Sequence, residues 1–133
     1  MAHAQWIEIR IQAENMTVKV RAAGLTAGKF YQQGNKGSEV SSADINKIDI
    51  ASGKEAYISA CGHNSSAAGT EGGFNLYDGE TKIARFQWDC PWDKAANYFD
   101  LFEKIATGYN LSYSGGNRSD GAIGNVTITC IKL

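Results

Sequence analysis

The stretch Phe86-Gln87-Trp88-Asp89-Cys90-Pro91-Trp92-Asp93-Lys94 constrains this chain more than any other. It holds two of the three tryptophans and the only proline. Proline fixes its own φ and cannot donate to a ladder, so a strand running through Phe86 and Trp88 must stop near Cys90. Upstream, Lys82 to Trp88 alternates imperfectly, with apolar Ile83 on an odd position and Phe86 and Trp88 on even ones. This reads as a strand with a register irregularity. Downstream, Trp92 and the residues up to Tyr98 read as a loop at a sheet edge, with Lys94 beside the tryptophan. Tryptophans on such a loop next to a lysine suit a lipid headgroup or a carbohydrate, and they equally suit a core.

The rest of the chain reads as short strands. Gln5 to Ile11 alternates, with Ile7, Ile9 and Ile11 on one face and Trp6, Glu8 and Arg10 on the other. Met16 to Arg21 repeats the pattern, and with Glu14-Asn15 as the turn the two runs predict a hairpin. Gly24 to Tyr31 is a weaker strand ending in a polar stretch, Gln32 to Gly37. Ser41 to Ile45 allows one helical turn. Lys47 to Ile50 and Glu55 to Gly62 are further strands, and Asn64 to Gly73 is small and polar, a surface loop. Asp78-Gly79 marks a hairpin turn between Phe74–Tyr77 and the run from Lys82. Asn97 to Ile105 is open between strand and helical turn. Tyr109 to Tyr113 and Ile123 to Leu133 close the chain, with Val126, Ile128 and Cys130 facing inward. Eight to ten short strands, with turns about every ten residues, predict an all-β fold: one β-sandwich domain over 1–133, its strands mostly antiparallel.

Composition narrows the function. A chain of 133 residues with 43% hydrophobic and 20% charged residues supports one globular core. A net charge of −1 leaves no electrostatic footprint for nucleic acid. It also argues against nonspecific attraction to anionic lipid, so membrane contact would need a headgroup site or aromatic insertion. No run reaches the roughly 20 apolar residues of a spanning helix. The start, Met1 to Glu8, lacks a basic region followed by an apolar core, so no signal peptide is expected. The expected location is soluble: cytoplasmic or non-classically secreted. The N-x-S/T sequons at Asn15, Asn64, Asn110, Asn117 and Asn125 are then expected to be bare.

Catalytic chemistry finds little support. Histidine is limited to His3 and His63, and Cys61 and His63 lack the context of a nucleophile and its base. Cys61, Cys90 and Cys130 offer no C-x-x-C and read as buried free thiols, so neither zinc nor any other cofactor is expected. Asp89 and Asp93 could pair for glycosidic chemistry, but Asp89 reads better as a local turn acceptor. The chain is expected not to be an enzyme. Phe74, Phe86 and Tyr57 among the aromatics, with Leu76 beside them, are assigned to core. Trp88 stays open between core and site, and Trp6, Trp92 and Tyr98 are favoured as exposed. Tryptophan and tyrosine prefer the bilayer interface, and their faces attract ammonium groups. Lys94 or Lys29 could meet a headgroup phosphate.

Five segments resemble the aegerolysins in matching order over essentially the whole chain: Ala4-Gln5-Trp6, Ala60-Cys61-Gly62, Gly69-Thr70-Glu71-Gly72-Gly73-Phe74, Trp88-Asp89-Cys90-Pro91-Trp92 and Gly121-Ala122-Ile123-Gly124. The resemblance implies a non-catalytic β-sandwich that binds membrane sphingolipids, either sphingomyelin with cholesterol or ceramide phosphoethanolamine. It also implies action at the surface of target membranes, as the lipid-recognising half of a two-component pore with a membrane-attack-complex/perforin-like protein. Against the family pattern, Ala27 stands where a tryptophan precedes Gly28-Lys29, and Pro91-Trp92-Asp93-Lys94 is a shorter, more acidic loop. The site expected on this reading is an aromatic patch of Trp6, Trp88, Trp92 and Tyr98, with Asp89 and Lys94 at the headgroup. The competing reading is a carbohydrate-binding, lectin-like sandwich in which the same aromatics stack on sugar rings.

Overall fold

Alternating strands that are apolar on one face must bury that face, and here two sheets do so against each other. The computed structural model describes residues 4–63 and 67–133. Strands are β1 (Trp6–Glu14), β2 (Val18–Ala27), β3 (Lys29–Gln32), β4 (Asn35–Val40), β5 (Asp49–Ile50) and β6 (Glu55–Cys61). They continue with β7 (Thr70–Asp78), β8 (Thr81–Cys90), β9 (Tyr98–Phe102), β10 (Tyr109–Gly115) and β11 (Gly124–Lys132). Among the described residues the one α-helix, α1 (Ser42–Ile45), is the expected single turn, with Ser41 accepting from the Asp44 N–H as its N-cap.

One sheet has six strands in the order β10-β11-β1-β6-β3-β4, and the other five, in the order β5-β2-β7-β8-β9. All ladders are antiparallel except β1 with β11, which run parallel. The β-sandwich expected from the sequence is therefore present. One strand, β4, begins within the residues read as a polar stretch, at Asn35, and runs on to Val40. The Asn64 to Gly73 loop is shorter than expected: β7 already starts at Thr70, and Asn64 to Ser66 lie outside the described residues.

The expected β1–β2 hairpin is not formed. β1 pairs with β6 and β11, while β2 pairs with β5 and β7 in the other sheet. The physical reason is the core. Ile7, Ile9 and Ile11 on β1 and Val18 and Val20 on β2 are each 0% exposed, facing each other across the sandwich. Asn15, at φ +61, lets the chain change sheets at this corner.

Strand β8 stops at Cys90, one residue before Pro91, as proline requires. Its irregularity is a bulge: Leu76 pairs with Ala84 but Tyr77 with Lys82, leaving Ile83 the extra residue. Both Ile83 and Ala84 are buried, and from Phe86 onward the even positions point inward. Phe74, Phe86 and Trp88 stack with centroids 5.8–6.3 Å apart. They meet the opposite sheet through Phe30, 6.3 Å from Trp88, and Tyr113, 6.2 Å from Phe86. Tyr57, assigned to core from the sequence, is 37% exposed. It pairs with outward-facing Arg10 and so lies on the outer face of the six-stranded sheet.

Phe86 is completely buried at the centre of this stack. Phe86→Ala is expected to cost about 3–5 kcal/mol of unfolding free energy. Urea denaturation would read this as a lower midpoint at unchanged slope.

Candidate functional site

The same alternation that buries Phe86 and Trp88 turns Arg85, Gln87 and Asp89 outward. Opposite them on β7 lie Asn75, Gly73 and Glu71, and on β9 Phe102, Asp100 and Tyr98. A groove of about 470 Å³ runs over this outer face of the five-stranded sheet. Its floor is bare backbone. A Cβ on Gly73 would come within 2.7 Å of the Phe86 carbonyl oxygen and 2.9 Å of Arg85 Nη2, and one on Gly72 within 2.6 Å of Leu25 Cδ2. Glycine here serves close approach, and Gly24 on β2 continues the floor.

Charge divides the groove. Arg85 Nη1 donates to Asn75 Oδ1 at 2.9 Å, which holds the guanidinium across the Gly73 floor. At the other end Glu71 and Asp89 are direct cross-strand partners. Like charges placed so destabilise a sheet, with Cβ atoms about 4.5–5.5 Å apart. Partial burial pushes the Asp89 carboxyl above its ordinary range, and the neighbouring Glu71 charge pushes it further. Tyr98, 46% exposed, and Phe102 form the outer wall, their rings 6.2 Å apart.

The six residues expected to form one site do not come together as one patch. Asp89 and Tyr98 pair across β8 and β9 and both line the groove, and Trp88 also contributes to its lining. Asp89 lies within a strand and is not the turn acceptor expected; Asp93 takes that part, accepting from the Ala95 N–H at 3.2 Å. Trp88 is 1% exposed, and its Nε1–H is spent on Thr70 Oγ1 at 3.2 Å, so its indole offers no docking surface. The inward phase of β8 is the reason. Trp6 lies on the outer face of the other sheet, with the Lys36 ammonium 5.0 Å from its ring. Trp92, half-buried, and Lys94, exposed, sit in the loop between β8 and β9; they are not among the groove's lining residues, but Asp89 and Tyr98 on either side of the loop are. Asn97 clasps that loop: its Nδ2 donates to the Asn117 and Gly121 carbonyls at 3.0 Å each.

Neither aromatics nor lysine mark Arg85, and Glu71 and the Gly72-Gly73 floor enter the sequence reading only within a surface loop and the family motif, without a role. The signal was available in the phase of β8, because any inward Phe86 and Trp88 set Arg85, Gln87 and Asp89 on one outward row.

Comparison with known proteins decides the family. The aegerolysin family model matches residues 4–133. The chain belongs to the aegerolysin family. It is 36% identical to Asp-hemolysin of Aspergillus fumigatus over 129 residues, covering 96% of this chain and 92% of that one. Among solved structures it is similar to RahU, determined in complex with a Tris molecule, at a TM-score of 0.94 and 36% identity, covering 99% and 98% of the two chains. It is also similar to IP-1A of Alcaligenes faecalis, at a TM-score of 0.92 and 40% identity, covering 98% and 93%. The aegerolysins are a family of membrane-lipid-binding proteins, and the match to them spans residues 4–133 of this chain.

Asp89 is a charge held where charge is disfavoured. A carboxyl whose folded pKa is raised destabilises the fold at neutral pH, and the penalty disappears as pH falls through that raised pKa. Asp89→Asn is therefore expected to raise the melting temperature at pH 7. The gap to the wild-type protein should close as the pH is lowered through the carboxylate range. Thermal melts across pH would check both, and a lower melting temperature for the variant at pH 7 would contradict the assignment.

Proposed function

We propose that this aegerolysin binds the zwitterionic headgroup of a membrane sphingolipid in the groove on its five-stranded sheet. The observation that carries the proposal is the groove's division of charge. Arg85 at one end suits a phosphate, and the Glu71–Asp89 pair with the Tyr98 ring suits an ammonium. A bound cation would also relieve the repulsion between two carboxylates that face each other across a ladder.

Binding is peripheral. No helix among the described residues is long and apolar enough to cross a membrane. Trp92 on the β8–β9 loop would sit at the bilayer interface with Lys94 among the phosphates, and the groove would take the headgroup. The lipid is sphingomyelin with cholesterol or ceramide phosphoethanolamine. On the family resemblance, the bound protein recruits a membrane-attack-complex/perforin-like partner to form a pore.

Sedimentation with liposomes tests the headgroup. Vesicles of phosphatidylcholine alone are compared with vesicles that also hold sphingomyelin and cholesterol, or ceramide phosphoethanolamine. Binding is expected only with one of the sphingolipid sets. Arg85→Gln and Glu71→Gln should each weaken it roughly ten- to a hundredfold, the worth of one hydrogen bond to a charged group. Binding to no lipid, with inhibition by a free sugar in a glycan screen, would replace this reading by the lectin-like one.

Trp92 tests the loop separately. Trp92→Ala should lower the bound fraction while leaving the melting temperature within a few degrees. An unchanged bound fraction would remove the loop from the membrane contact.

A further inference from the structure

A sheet edge presents a row of unpaired backbone groups, and proteins blunt such edges with charge, bulges, short strands or a cover. Three of the four edges here are blunted. β5 is two residues long. β4 carries Lys36 and Glu39, and its ladder with β3 shifts register between Tyr31 and Gln32. β9 carries Asp100 and is capped by Arg118, whose Nη1 donates to the Phe99 carbonyl at 3.1 Å while the guanidinium lies 4.0 Å over the Phe99 ring.

The fourth edge is different. β10, Tyr109-Asn110-Leu111-Ser112-Tyr113-Ser114-Gly115, is seven residues long and has no charged residue and no proline. Its ladder with β11 runs through seven consecutive pairs without a register shift. It is a long, regular, uncharged edge at the end of the six-stranded sheet.

We infer that β10 is a dimerisation edge, pairing antiparallel with β10 of a second copy of this chain about a two-fold axis at Ser112. The strand is its own complement. In that register Asn110 faces Ser114, Leu111 faces Tyr113 and Ser112 faces Ser112, so no like charges oppose each other, as an isologous interface requires. Exposed Asn110, Ser112 and Ser114 stay on the outer face, while Leu111 and Tyr113 stay on the inner one. At its ends the strand runs from Tyr109 to Gly115, followed by Gly116, and these glycines carry no side chain to obstruct the partner. Four residues before the strand stands Ile105, 87% exposed. The antiparallel register carries it past the partner's glycine end.

The symmetry has a consequence for the membrane. A two-fold axis within a continuous antiparallel sheet stands perpendicular to that sheet, so both copies keep the same face up. The two headgroup grooves, each on the outer face of a five-stranded sheet, then lie on the same side of the dimer. Two grooves on one face would bind a bilayer with avidity. This consequence rests on the proposed headgroup site, whereas the dimer itself does not.

The test is sedimentation equilibrium of the full chain, with vesicle binding read separately. The wild-type protein should show a concentration-dependent doubling of its 14.4 kDa mass. Asn110→Lys with Ser114→Lys should leave it monomeric, since each lysine faces a lysine. Asn110→Lys with Ser114→Glu should restore the dimer, since each lysine then faces a glutamate. Ser112→Cys should crosslink on mild oxidation, because directly opposed residues have Cα atoms about 4.5–5.5 Å apart, within disulfide range. The native Cys61, Cys90 and Cys130 are buried and free and should not compete. All three exchanged positions, Asn110, Ser112 and Ser114, are at the surface, so circular dichroism should show an unchanged fold. A wild-type protein that stays monomeric at high micromolar concentration, or a dimer that survives the double-lysine variant, would overturn the inference. A dimer that forms normally but fails to bind vesicles would leave it standing and remove the headgroup reading.

Discussion

The outer face of β8 is what it is because Trp88 points the other way. A strand's side chains alternate strictly, so once Phe86 and Trp88 are drawn into the aromatic stack, Arg85, Gln87 and Asp89 must face solvent in a row. The stack is held from both sides: Phe30 and Tyr113 reach it from the opposite sheet, and Thr70 satisfies the Trp88 indole N–H. A buried indole without that acceptor would carry an unpaired donor, which is costly in a dry core. The register of the site and the packing of the core are thus one fact seen from two faces.

Two further choices turn that row into a groove. Gly72 and Gly73 remove the side chains that would otherwise fill the neighbouring strand, and their Cβ atoms could not be added without displacing Leu25 or Arg85. Glu71 and Asp89 are then left directly opposed, with Asp89 partly buried and its acidity suppressed. Such a pair costs the folded state free energy. Sites that bind cations commonly hold charge in this way, ready for a ligand that removes the cost.

The sequence revealed the architecture better than the site. Local alternation in Gln5–Ile11, the Asp78-Gly79 turn and the Pro91 stop were all readable, because each depends only on neighbours along the chain. The β1–β2 hairpin was misread because alternation says which face is apolar but not which sheet it joins. The parallel pairing of β1 with β11 brings together residues more than a hundred positions apart, and no local pattern encodes it. Asp89 and Tyr98, expected as polar or amphipathic residues beside a break, both line the groove. Trp88 was misassigned because tryptophan serves core and interface alike, and Trp6 was grouped with residues of the other sheet. The motif that carries the family resemblance, Trp88-Asp89-Cys90-Pro91-Trp92, therefore mixes roles: a core tryptophan, a groove carboxylate, a buried thiol pushed up to about 11 by desolvation, a strand stop and a loop aromatic.

The central claim is that a headgroup sits between Arg85 and the Glu71–Asp89 pair, and amide chemical shifts report on that place directly. Titration of the labelled protein with soluble phosphoethanolamine or phosphocholine should move the amides of Glu71, Gly72, Gly73, Arg85, Gln87, Asp89 and Tyr98 together, with one dissociation constant. Shifts confined to the outer face around Trp6 and Lys36, or no saturable shifts with either headgroup, would contradict the account.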